Sequence, residues 1–207
     1  MAGKRSLERR GLARNPKPAG RIILLLAWFA IGSVLFRGET IYAASGDQGV
    51  LEVRIKDHRE AIGDFSRVMV KVEKISISPK PGFKFWQAGW QDLTASLEAI
   101  DLTKYAGKQT VTVFKGMIAA GSFDAFHLTL KAVEGILKKT QRSAQIKNSV
   151  GPIKLPFSIQ PKAPTIIVVD LEVLDVSDHP PLSYALGIKG WELYANGKLV
   201  DKIPPGP

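Results

Sequence analysis

The sequence predicts an all-β domain, an antiparallel β-sandwich of immunoglobulin-like or prealbumin-like type, preceded by an N-terminal signal or anchor helix. Three observations predict it. From Val50 onward apolar residues recur at every second position, and Gly, Pro and Asn punctuate that alternation at regular intervals. No stretch beyond position 49 keeps a helical period long enough for a convincing helix. About eight or nine short strands of this kind bury their apolar faces best as two packed sheets. No internal repeat or linker divides them, so residues 49–202 read as one domain and residues 203–207 as a loose tail.

The first 43 residues read as an address. Residues 1–21 form a basic n-region, and residues 22–43 carry the apolar run IILLLAWFAIGSVLF followed by small residues. The run is shorter than the roughly 20 residues that span hydrocarbon. Ile41 and Ala43 suit the positions before a cut, which places signal cleavage after Ala43. An uncleaved anchor through residues 22–36, with its basic end kept in the cytoplasm, uses the same signals. Both readings place the domain outside the cytoplasm, as a periplasmic, cell-surface or secreted protein, with membrane contact only through this segment.

Along the domain, Leu51, Val53 and Ile55 share one strand face, with Glu52, Arg54 and Lys56 on the other. DHREAIGD, residues 57–64, is a charged loop. Val68, Val70 and Val72 give way to Ile75 and Ile77, an odd step that predicts a bulge near Lys74. FKFWQAGWQDL predicts a hairpin in which Trp86 and Trp90 face each other across Gln87, Ala88 and Gly89. Residues 95–107 suit a short helical turn before the strand TVTVFKGMI. After the turn AAGS, the strand FDAFHLTLKAV points Leu128 and Leu130 inward and His127, Thr129 and Lys131 outward. Residues 138–151 are polar and read as an exposed loop or irregular hairpin. IKLPFSI and TIIVVDLEV are strands, and Asn196-Gly197 is a two-residue hairpin turn between WELYA and KLV.

Composition removes several chemistries. With no cysteine there is no disulfide, thiol nucleophile or thiolate metal site. The chain carries +10, but residues 1–43 hold 8 Lys+Arg against 2 Asp+Glu, leaving 21 against 17 for the rest. A domain this mildly basic argues against nucleic acid as partner. No glycine-rich phosphate loop appears, and no cofactor is expected.

The stretch TIIVVDLEVLDVSD places four carboxylates, Asp170, Glu172, Asp175 and Asp178, among branched apolar residues. On a strand, Ile167, Val169, Leu171 and Val173 take one face and Ile166, Val168, Asp170 and Glu172 the other. The expectation is a solvated face paired across the sheet to lysines such as Lys131 and Lys154. A calcium site using Asp175, Ser177 and Asp178 is the sharper alternative, but the oxygen count is short. Side by side on a polar face, the carboxylates would not acquire the separated pKa values of an acid/base pair. His58, His127 and His179 are scattered and no G-x-S-x-G elbow is present. A metal-dependent or hydrolytic enzyme using Asp170, Glu172 or Asp178 with His127 or His179 is therefore the secondary reading. The primary one is a non-enzymatic module that binds a protein or glycan. Its best surface is the aromatic segment Phe83, Lys84, Phe85, Trp86 and Trp90, which suits stacking on sugars or protein partners. The competing role for these rings is to lid one end of the core.

The run GVLEVRIKD into DFSRVMVKVEKISI, the segment GWQDL, the step AAGSFDAFHLTL and the stretch IIVVDLEVLDVS together resemble the bacterial and archaeal exported domain-of-unknown-function family four-three-eight-two. The resemblance spans nearly all of residues 49–195. It implies an exported β-sandwich at the cell envelope, with no established activity and no functional residues to transfer. This chain differs in lacking a lipid-attachment cysteine and in its polar insertion at 138–151.

Overall fold

The computed structural model describes residues 47–80, 89–179 and 181–203. The signal or anchor segment 22–43, the cleavage position after Ala43, the aromatic residues Phe83, Lys84, Phe85 and Trp86, and the tail 204–207 lie outside the described residues. Among the described residues there are eleven strands: β1 (Gln48–Asp57), β2 (Phe65–Pro79), β3 (Gln91–Leu93), β4 (Ala99–Asp101), β5 (Val111–Ala119), β6 (Gly121–Leu137), β7 (Ser143–Asn148), β8 (Ile153–Ile159), β9 (Thr165–Asp175), β10 (Tyr184–Ala195) and β11 (Lys198–Lys202). Short 3-10 turns occupy Ala61–Asp64 and Leu102–Tyr105, the second supplying the turn expected before β5. Among the described residues no helix is long and apolar enough to cross a membrane.

The all-β class holds; the antiparallel sandwich does not. The strands form one mixed sheet in the order β3-β2-β6-β7-β10-β9-β1-β5, with β4 added to β2, β8 to β6 and β11 to β10. The sheet curls into a nearly closed, barrel-like form. Two pairings are parallel, β1 with β9 and β7 with β10. The physical reason lies in β9. Its run from Thr165 to Val173 is almost wholly buried on both faces, Asp170 and Glu172 included, as expected of a strand inside a parallel pairing rather than one with a wet face.

The turns obey the sequence more closely. Asn196 (φ 49°) and Gly197 (φ 75°) form the two-residue turn joining β10 to β11, with positive φ at both positions. The register of β2 against β6 shifts between Lys71 and Lys74, which is the bulge the odd step predicts. Residues 138–151 take the irregular-hairpin form of the two expected, because they contain β7, which turns back antiparallel on β6. Its first half pairs with β6 and its second half with β10, so this polar strand joins the two halves of the sheet.

Inside, Leu51, Val53 and Ile55 of β1 meet Ile75 and Ile77 of β2, Phe126 and Leu128 of β6 and Ile167, Val169, Leu171 and Val173 of β9 in one continuous core. β1 begins so close to the end of β8 that a Cβ on Gly49 would lie 2.2 Å from the Gln160 carbonyl oxygen. Only glycine fits that approach.

Candidate functional site

The end of β1 and the middle of β9 build a polar cluster. Parallel register sets Lys56 beside Asp170, and the His58 amide continues the ladder by donating to the Leu171 carbonyl (2.8 Å). His58 thereby falls next to Asp170, its Nδ1 3.3 Å from Asp170 Oδ2. Lys56 Nζ lies 3.4 Å from that same oxygen and donates to Glu192 Oε1 of β10 at 2.9 Å. The irregularity between Ile188 and Gly190 leaves Lys189 out of register on β10, and its Nζ lies 3.1 Å from Glu172 Oε2.

The expected wet face of β9 is therefore dry. Asp170 is 8 % exposed and Glu172 9 % exposed. Their partners are Lys56, His58 and Lys189, not Lys131 or Lys154. The side chains of β9 alternate as the sequence predicts, but its outer face does not open to solvent. Long Lys and Glu side chains from β1 and β10 fold over it and exclude water. Asp170 Oδ1 is buried without a hydrogen-bond donor, whereas Glu172 Oε2, equally buried, is held by its ion pair with the Lys189 ammonium.

Asp57 is the most sequestered member, with no exposed surface. Its Oδ2 accepts the Arg59 amide (2.8 Å), which holds the left-handed turn at Arg59 (φ 73°), while Oδ1 has no donor. Burial pushes this carboxyl up to about 6, helped by the negative charges of Asp170 and Glu172 and opposed by the Arg59 amide and His58. Lys56 stays charged despite its burial because Glu192 and Asp170 raise its pKa. Burial alone would raise Glu192, but hydrogen bonds from the Tyr194 hydroxyl and Lys56 outweigh it and lower the carboxyl. The loop read as DHREAIGD thus opens on the most deeply buried acid of the cluster, not on a solvated charge.

The other candidates disperse. Asp175 and Asp178 are exposed beyond the cluster, and Asp175 Oδ1 accepts the Ser177 amide (2.9 Å), a local turn that lowers its pKa. His179 is exposed, and His127 lies elsewhere, on β6. No group of three or more His, Cys, Asp or Glu among the described residues is placed to hold a metal ion. His58 is the residue the sequence reading missed. Its signal was parity: positions 54, 56 and 58 continue one face of β1, and Lys56-x-His58 complements Asp170-x-Glu172 once β1 and β9 run parallel.

Away from this cluster, Trp90 is 48 % exposed and meets His127 of β6 edge-on at a ring separation of 6.1 Å. Beside it Asp92 accepts the Ser76 hydroxyl (2.6 Å) and Lys74 (2.8 Å). The residues after Trp90, Gln91 to Leu93, pair with β2, so β2 provides the strand partner of this segment. A third feature is a cavity of about 360 Å³ between β8 and the β10–β11 hairpin, floored by Phe123 and Phe157, whose rings stack at 5.0 Å.

A mixed, barrel-like sheet carrying a buried acid–lysine–histidine cluster defines a class of all-β domain whose polar groups are turned on one another. Within that class the chain belongs to the family described as Domain of unknown function (DUF4382), whose model matches residues 48–177, more than half of the sequence. No curated protein and no solved structure matches the chain.

Proposed function

We propose that the chain is an exported, non-enzymatic binding module that recognises a protein or glycan outside the cytoplasm. The observation that carries this reading is the contrast between its two faces. On the β1/β9/β10 face the acids and bases neutralise one another: Lys56 between Asp170 and Glu192, Lys189 between Glu172 and Glu60. A catalytic acid or base has to be presented to substrate, and these are spent on each other. Trp90, in contrast, presents nearly half of its surface to solvent, the disposition of a stacking or anchoring ring. The carbohydrate-binding version of this reading adds Trp86 to Trp90.

The His58–Asp170 contact favours a second reading, an acid/base enzyme in which Asp170 orients the imidazole. Among the described residues, however, no hydroxyl nucleophile hydrogen-bonds His58.

One experiment separates them. The full chain is screened on a glycan array and against hydrolase substrates, alongside Trp90→Ala and His58→Ala. The binding reading expects glycan signals that vanish in Trp90→Ala and persist in His58→Ala. Turnover abolished by His58→Ala would sink it. Mass measurement of the exported protein tests its address, and a mature chain beginning at Ala44 is expected.

A further inference from the structure

The two strand partners of β7 form a fork in the sheet. Near Ile136 of β6 and Tyr184 of β10 they are bridged by β7. Toward their other ends β7 no longer joins them, and the gap is flanked by β8, paired to β6, and β11, paired to β10. Among the described residues no backbone hydrogen bond joins β8 to β11. The cavity over Phe123 and Phe157 lies in this seam, walled by Leu193 and Val200.

We infer that the seam receives an extended acidic segment of a partner polypeptide, which pairs with the edge of β11 that has no strand partner among the described residues and lays alternate apolar side chains over Phe123 and Phe157. The inference rests on the reading of the chain as a binding module and assigns that reading a second surface. Four observations select the occupant. First, the molecule already closes the upper part of the same fork with an extended stretch, SAQIKN of β7, in which Ala144 and Ile146 point inward. A strand is thus the shape this fork accepts. Second, all five residues of β11 are exposed, and an edge strand offers unpaired amides and carbonyls to an incoming strand. On β8, Pro156 lacks an amide, so β11 is the receiving edge. Third, Val200 is 61 % exposed although it faces the apolar cavity. Fourth, Lys80 lines the cavity, with exposed Lys154 and Lys162 on β8 and its following turn and Lys198 and Lys202 on β11, outnumbering the acids Asp124 of β6 and Asp201 of β11 among the described residues. That imbalance attracts an acidic segment and repels a basic one.

The test uses fluorescence anisotropy with the full chain and a labelled octapeptide of alternating valine and glutamate. Its comparators are the valine–lysine peptide and a valine–glutamate peptide N-methylated at alternate amides. Saturable binding of the first, weakening as salt rises, is expected, with both comparators at least about tenfold weaker. Val200→Asp and Lys198→Glu, both at exposed positions, are each expected to weaken it about tenfold while keeping the wild-type unfolding midpoint. No binding by the valine–glutamate peptide, equal binding by all three, or indifference to both substitutions overturns the inference. Loss of the seam leaves Trp90-dependent binding on the array intact, so failure here is distinguishable from failure of the module reading.

Discussion

Asp57 concentrates the energetics of the polar cluster in one side chain. It has no exposed surface, one of its oxygens lacks a donor, and its carboxyl is pushed up to about 6 by burial and by Asp170 and Glu172. The sign of its contribution follows. Between the ordinary carboxyl value near 4 and about 6, the folded chain binds a proton that the unfolded chain has released. Stability therefore falls as pH rises through that window, by at most about 3 kcal/mol from this residue. Asp57→Asn removes the charge yet keeps an oxygen for the Arg59 amide. It is expected to raise stability at pH 7.5 by about 1–3 kcal/mol and to flatten the decline between pH 4 and 6, measured by urea denaturation across that range. A variant that is less stable at pH 7.5 with the slope intact would reject this role. The charge of Asp57 was readable in the sequence, but its depth was not. It sits at the end of a strand, where the surroundings come from β9 and from the chain after Leu102, far away in sequence.

At the scale of elements, the strands legible in the sequence are those that alternate. β1, β2 and β6 follow period two over most of their length, and the β10–β11 hairpin is marked by the Asn196-Gly197 turn. Two elements are only partly legible, and their burial differs from half. β9 is buried on both faces, so its carboxylates were assigned to water. β7, the returning arm of the irregular hairpin expected over residues 138–151, has Ile146 as its one fully inward residue, so nothing in its pattern announces the pairing with β10. Both also take part in the parallel pairings, which join strands distant in sequence and leave no local turn signal. The joint at β7 is tightly packed. A Cβ on Gly135 would lie 2.4 Å from the ring of Phe65 and 3.1 Å from Ile146 Cδ1, and Phe65 itself stacks edge-on against Tyr184 at 4.7 Å. Gly135→Ala is expected to destabilise the fold by about 1–3 kcal/mol through overpacking, and Phe65→Leu in the same chain to recover part of that loss. A double-mutant cycle in urea reads the coupling. Strict additivity of the two changes would mean that the glycine is not held there by the ring.

The whole molecule is organised around β1, the first strand of the domain and one of the last to find all its partners. It lies between β5 and β9, and its parallel pairing sets Leu51 against Thr165 and Ile55 against Val169. Closing so long a loop costs entropy before any of the apolar burial of Leu51, Val53 and Ile55 is recovered. The domain should therefore refold slowly for its size, on the millisecond-to-second scale typical of topologies dominated by distant contacts. The same geometry links the fold to the proposed export. β1 starts at Gln48, just past the expected cut after Ala43, so removal of the address leaves every ladder bond of the strand available. A chain starting at Ala44 is expected to match the urea midpoint of the full chain. One starting at His58 loses a strand paired on both sides and is expected to give neither a cooperative transition nor the fluorescence of packed Trp191. A cooperative transition in that shorter chain would show that β5 and β9 close without β1, and the order of strands around the barrel would then not be what limits its folding.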